Sequence, residues 1–254
     1  MRRFITLLLA MVGALHLAQA QDIRGGVQLS PSFSWMTTDD RLITANGTNL
    51  GLKIGLIGEY AFRENYSFCT GVNLFNNTGG TLLHQTAGHY WKNVDYTGTG
   101  IATLDTAGVA KLDVLAAGTS LKYRLRYWEV PLSLKMRTAD NDGLRFFAEL
   151  PIITLGFRSK VRGDIKGGAI DVADFDIKEE VNALSMSWGL GAGVEYPLGG
   201  VSAVGGIYFH QGFTDVTGDD GTKAVANTNG VLETRSETSK AVINVLTFRL
   251  GVMF

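Results

Sequence analysis

The chain has few of the residues that staple or interrupt a soluble fold. A single cysteine, Cys69, in 254 residues excludes an internal disulfide framework. Only 4 prolines are present. Beyond the N-terminus, no window approaches the roughly 18 consecutive apolar residues of a spanning helix. The mean hydropathy of +0.10 likewise excludes a multi-helix membrane protein. A net charge of −1 leaves no basic excess, so no nucleic-acid partner is expected.

What is present begins with an export signature. Arg2 and Arg3 precede an apolar run from Phe4 to Leu17, followed by Ala18-Gln19-Ala20. This is the charged, hydrophobic, small-residue order of a secretory signal peptide. Residues 1–20 are therefore expected to be a signal peptide and 21–254 the mature domain. The run is too short to span as a helix.

The mature chain alternates. Asn244-Val-Leu-Thr-Phe-Arg-Leu-Gly-Val-Met-Phe254 puts Leu246, Phe248, Leu250, Val252 and Phe254 on one face and Thr247, Arg249 and Gly251 on the other. A strand with an apolar ridge and an aromatic end suits a transmembrane β-barrel, in which lipid-facing and lumen-facing residues alternate. The resemblance of this ending to outer-membrane proteins implies that Phe248, Leu250, Val252 and Phe254 form a barrel-assembly signal. Val27, Leu29, Phe33 and Trp35 alternate in the same way with Gln28, Ser30, Ser32 and Ser34, and Pro31 falls on the apolar phase, where a bulge is expected.

Further strands follow at Leu50–Phe62, from Tyr66 through Leu74, Tyr123–Arg137 with a change of phase near Tyr127, and Leu144–Phe157. The remaining ones run from Leu184 through Tyr196, from Val201 to Phe213, and from Lys240 to the end. On the fifth, placing Glu149 inward sends Phe146, Ala148, Leu150 and Ile152 outward. Short links at 63–65, 138–143 and 197–200 alternate with long polar stretches at 36–49, 76–120, 158–183 and 214–239, the pattern of periplasmic turns and external loops. The expected fold is all-β, an eight-stranded antiparallel up-and-down transmembrane barrel in the outer membrane.

Tyr127-Trp-Glu-Val-Pro-Leu-Ser-Leu-Lys-Met136 resembles the strand "Y-L-E-I-P-L-L-L-K-Y" of the PorT-type outer-membrane β-barrel family of Bacteroidetes. His210-Gln-Gly-Phe-Thr-Asp-Val216 is similar to that family's "Y-x-x-G-L-T-N-I" segment. The resemblance implies an eight-stranded barrel over residues 22–254 and a role as an accessory in secretion or envelope organisation. Outer-membrane lipid, lipopolysaccharide, the barrel-assembly machinery and secretion-apparatus proteins are the expected partners of a monomer.

The inward phase carries Lys53, Glu59, Glu129, Lys135, Arg145, Glu149, Glu195 and Arg249. Eight strands enclose just enough room for side chains, and isolated buried charges are costly, so these are expected to pair into an interior network. An ion-selective path for small solutes is the alternative. Glu129-Val-Pro131 and Glu149-Leu-Pro151 offer two carboxylates for acid–base work, but cationic partners stand near both.

His210 has no serine at a suggestive spacing, so the chain is expected not to be an enzyme, with an envelope lipid-modifying activity as the less favoured reading. His84 and His89 with Asp95 match no strong metal spacing, and no metal or cofactor is expected. Gly189-x-Gly-x-Gly193 lies within a strand rather than at a strand-to-helix turn and is read as small inward residues. Asp171, Asp174, Asp176, Glu179 and Glu180 form an acidic loop cluster, either solvated or bridging cations to lipopolysaccharide. Cys69 is read as an inward packing residue.

Overall fold

In a computed structural model, eight antiparallel strands close into a ring. They are β1 (Ile23–Thr38), β2 (Ile43–Arg63), β3 (Tyr66–His84), β4 (Thr119–Arg137), β5 (Arg145–Gly167), β6 (Leu184–Leu198), β7 (Val201–Gly212) and β8 (Ala241–Met253). Each pairs with its sequence neighbour, and β8 returns to β1 to close the ring. The structure describes residues 23–94, 102–104, 110–112, 114–140, 142–168 and 170–254. The expected signal peptide and Asp95 lie outside them.

The lower half of the barrel inverts the usual soluble arrangement. Phe33, Leu52, Ile54, Leu56, Phe68, Leu132, Leu190, Ile207 and Leu250 are all outward and exposed, while Ser30, Ser32, Ser34, Lys53, Glu59 and Glu195 are buried inside. An apolar exterior around a polar interior is stable only where hydrocarbon replaces water. Trp128, Val130, Leu132, Leu134 and Met136 cover this belt on β4, about the nine residues that a tilted strand needs to span.

Above the belt the inversion is itself reversed. On β4, Leu121, Tyr123, Leu125 and Tyr127 point inward and are nearly inaccessible, and Lys122, Arg124 and Arg126 point out. Odd-numbered residues of β4 face the interior from end to end. The expected change of phase near Tyr127 is thus a change of solvent, from lipid to water outside and from polar to apolar inside. The strand keeps its phase.

Most of the stretches taken for polar loops are strand continuations. β2 begins at Ile43, β3 runs on to His84, and β5 runs on to Gly167 and pairs with a further strand, Ile170–Asp176. Their inner faces meet in one apolar cluster that includes Met36, Ile43, Phe75, Leu82, Trp91, Leu115, Leu121, Val161, Ile165, Ile177 and Ile243. This dome caps the external end. A hairpin of Thr222–Ala226 and Leu232–Ser236 projects beside it, joined at its base to Gly88–His89.

Bulges sit elsewhere than at Pro31. β1 keeps continuous register with β2 through the pair Pro31–Leu52, and the missing N–H of Pro31 falls on the β8 side, where the pairing passes from Leu29–Leu250 to Ser32–Thr247 without a change of register. The bulge falls instead on β5, between Glu149 and Ile152, where both neighbouring strands skip a residue. It turns Ile152 inward, to 1% exposure, against the expectation that it faces outward with Phe146, Ala148 and Leu150. Pro151 occupies that bulge, the position a sheet tolerates for proline.

Candidate functional site: the filled lumen and its dome

The inward side chains form layers along the barrel axis. At the periplasmic end, Glu59 and Glu195 are shared among three cations. Arg24 reaches Glu195 at 2.5 Å and Glu59 at 3.1 Å, and Lys135 reaches both carboxylates at 3.1 Å. Arg137 bonds to Glu59 and lies 3.9 Å from Glu195. Both carboxylate side chains are 1% exposed. Burial on this scale is tolerable only because every charge has opposite partners and hydrogen bonds.

The next layer is a triad. Arg249 Nη1 lies 2.9 Å from Glu149 Oε1 and donates to Tyr208 Oη at 2.8 Å, and Tyr208 donates to Glu149 at 2.9 Å. The guanidinium also lies 3.8 Å from the centre of the Tyr208 ring, a cation–π contact. Ser133 completes the carboxylate's shell at 3.3 Å. Cys69 is buried on the inward phase of β3, opposite Glu59 on β2 and Ser133 on β4.

Above the triad, Lys53 pairs with Glu129 at 2.6 Å and lies 4.7 Å from the Phe75 ring, and Gln28 bonds to Asn73. A cavity of about 30 Å³ lined by Thr78, Tyr127, Glu129 and Thr154 follows, room for about one water. The apolar dome then closes the path, with Trp91 Nε1 donating to Tyr123 Oη at 2.9 Å.

Seven of the eight residues expected in the interior network lie in these layers. Arg145 does not: its side chain is 40% exposed at the periplasmic mouth, and its partner is Asp140 of the adjacent turn at 3.4 Å. Arg24 and Arg137 take the place assigned to it. Arg24 escaped notice because it precedes the first clear alternation, and Arg137 because it is the last residue before a turn. Both nonetheless fall on the inward phase of their strands.

The two Glu-x-Pro carboxylates are not brought together. Glu129 stands opposite Gly156 and Glu149 opposite Lys135, so they occupy different layers with different cations. The glycine run explains the room for this packing. A Cβ at Gly191 would overlap the Tyr208 ring, one at Gly193 the Phe147 ring and one at Gly189 the His210 ring. These glycines admit three inward rings and cradle no phosphate.

Of the two external histidines, one is built into the dome. His84, 3% exposed, packs against Tyr90 with ring centres 4.0 Å apart and planes tilted by 49°, and burial holds its imidazole down to about 4. His89 is exposed at the base of the hairpin. Nearby, burial works to raise Asp40, but the Lys223 ammonium and the Leu42 amide outweigh it and hold the carboxyl below its usual value. Among the described residues no cluster of three or more His, Cys, Asp or Glu is arranged to hold a metal.

Most of the acidic loop residues find partners within the protein. Asp174 lies 3.2 Å from Arg124 and 4.0 Å from Arg162, and Asp171 lies 3.7 Å from Lys166. Glu180 is buried and accepts the Asn93 amide at 2.5 Å, and its burial pushes the carboxyl up. On β8 and at the residue after it, Phe248, Leu250, Val252 and Phe254 are outward and exposed along the lipid face.

A ring of eight strands with a lipid belt and a polar interior matches a known family. The family described as an outer membrane protein beta-barrel domain covers residues 18–218. The chain belongs to that family, and its place is the outer membrane. No curated protein matches it.

Solved structures with a similar fold include Neisserial surface protein A, 11% identical with a TM-score of 0.39, covering 90% of this chain and 95% of that one. OprG from Pseudomonas aeruginosa is 14% identical with a TM-score of 0.35, covering 91% and 94%. The outer membrane protease OmpT from Escherichia coli is 6% identical with a TM-score of 0.37, covering 93% and 97%. One of these solved structures is a protease, so the expectation that the chain is not an enzyme is withdrawn. The likeness is too distant to assign an activity.

Proposed function

We propose that the protein is a closed outer-membrane platform that presents its external dome and hairpin to other envelope components. It would act as an accessory in secretion or envelope organisation, as the resemblance to PorT-type barrels implies. One observation carries this reading: the interior is filled from the Glu59–Glu195 cluster through the Arg249 triad to the dome. A filled interior leaves the external surface as the working part. The dome's apolar core gives that surface a fixed shape, and the hairpin carries the exposed Val231 and Leu232. The outward ridge of Phe248, Leu250, Val252 and Phe254 is the segment we assign to recognition by the barrel-assembly machinery.

Two measurements test the proposal. Reconstitution in planar bilayers should give no steady conductance; reproducible single-channel steps would replace the platform with a small-solute channel. A photo-crosslinker at Leu232, 71% exposed, should capture a discrete envelope protein in native membranes. Capture of nothing but lipid would remove the hairpin as a contact surface.

A further inference from the structure

Where the lipid belt ends, four strands place an uncharged polar residue on the outer face: Thr37, Thr48, Asn76 and Gln211. Two adjacent strands differ. Arg126 of β4 stands directly opposite Lys160 of β5, and both are exposed. Like charges in opposed positions destabilise a sheet. The pair is retained although the next row above is differently built. There Arg124 stands opposite Arg162, but Arg124 lies 2.6 Å from Asp164 and 3.2 Å from Asp174, and Asp174 also lies within 4.0 Å of Arg162. Those acids neutralise the upper row. No ion pair or side-chain hydrogen bond reaches Arg126 or Lys160 among the described residues.

The height of this pair decides what could neutralise it. Trp128 and Phe157 also stand opposite one another and are each 49% exposed on the lipid face. Arg126 lies two residues beyond Trp128, about 7 Å along the strand, where an interfacial aromatic gives way to headgroups. This end of the barrel is the external one, because the short turns lie at the other.

We propose that Arg126 and Lys160 form a clamp for the phosphate of an anionic outer-leaflet lipid whose acyl chains lie against Trp128 and Phe157. A phosphate between the two cations removes their mutual repulsion. The guanidinium contributes a forked pair of donors and the ammonium a point charge. The Lys160 side of the clamp is set by the bulge at Ser159, where β5 carries one residue more than β4.

The test uses the full chain refolded into nanodiscs of phosphatidylcholine doped with diphosphoryl lipid A, with retained lipid read by native mass spectrometry. The wild type should retain lipid A selectively. Arg126→Gln with Lys160→Gln should reduce retention on the order of 30-fold, at about 1 kcal/mol per cation near a lipid surface. Arg235→Gln, in the hairpin, should leave it unchanged. Heat-modifiable gel migration checks that each variant is folded. Should the double variant fail that check, Lys160→Gln alone, with an expected loss of about fivefold, makes the same comparison. Equal retention by folded wild type and variant would overturn the clamp, as would equal retention of lipid A stripped of its phosphates. Displacement of lipid A by inorganic phosphate at the same concentration would also overturn it, because the site would then read a free ion.

Discussion

Replacing Arg249 with Met tests whether the interior charges act as a structural network. The substitution keeps an unbranched apolar stem and deletes the guanidinium. At the 2.9 Å separation from Glu149, two unit charges in an effective dielectric of about 20 attract by about 6 kcal/mol. Desolvation of both ions offsets part of that. Removing one partner therefore should cost about 3–5 kcal/mol, because Glu149 stays buried with a charge that only Tyr208 and Ser133 can solvate.

Removing both charges, as Glu149→Gln with Arg249→Met, should cost less than Arg249→Met alone, with a coupling on the order of 2 kcal/mol between the sites. The measurement is reversible urea unfolding in lipid vesicles, with folded and unfolded fractions separated by heat-modifiable migration. Costs that simply add, or an Arg249→Met variant as stable as wild type, would refute the reasoning.

Other outcomes follow from the same geometry. Leu121→Ala, at a fully buried position of the dome, should cost about 2–5 kcal/mol and sensitise the external strands to added protease. The membrane part should still migrate as a folded barrel, and loss of that migration would mean that dome and barrel are one cooperative unit. The His84 imidazole is held down to about 4 by burial, against about 6.5 in an opened chain. Between those values the opened state binds more protons, so the dome's stability is intact above about pH 6.5 and is lost as the pH falls toward 4. The full loss is about 3 kcal/mol, readable as faster amide exchange in residues 119–127, corrected for intrinsic rates; protection independent of pH would contradict it. Leu132→Arg, in the middle of the belt and 52% exposed as wild type, should cost about 2–4 kcal/mol of folding free energy in vesicles. An unchanged value would mean that this face does not meet hydrocarbon.

By itself, the sequence determined the ring. Period-2 alternation on Val27–Trp35, Leu50–Phe62 and Asn244–Phe254 needs only the pleat and two different solvents on its two sides, and both are local properties. The same alternation put Glu59, Glu129, Glu195 and Arg249 on the inward phase, while on β5, apolar on both faces, the charge of Glu149 was the only guide. Two boundaries were harder to read. The upper end of β4 keeps the pleat but exchanges the polarity of both faces, so Leu121–Tyr127 resembles a slip in phase until the water above the membrane is taken into account, whereas β3 and β5 carry bulges at that level and do change phase. Arg24 and Arg137 sit at strand ends, where alternation is too short to declare a face.

Only the tertiary structure decided which charges meet. Glu129 and Glu149 share a motif and neighbouring strands, yet shear and the bulge at Pro151 place them in different layers, with Lys53 and Arg249 as their respective partners. The opposition of Arg126 and Lys160 is of the same kind. Register across two strands depends on every bulge below it, and no local pattern in either strand records that sum.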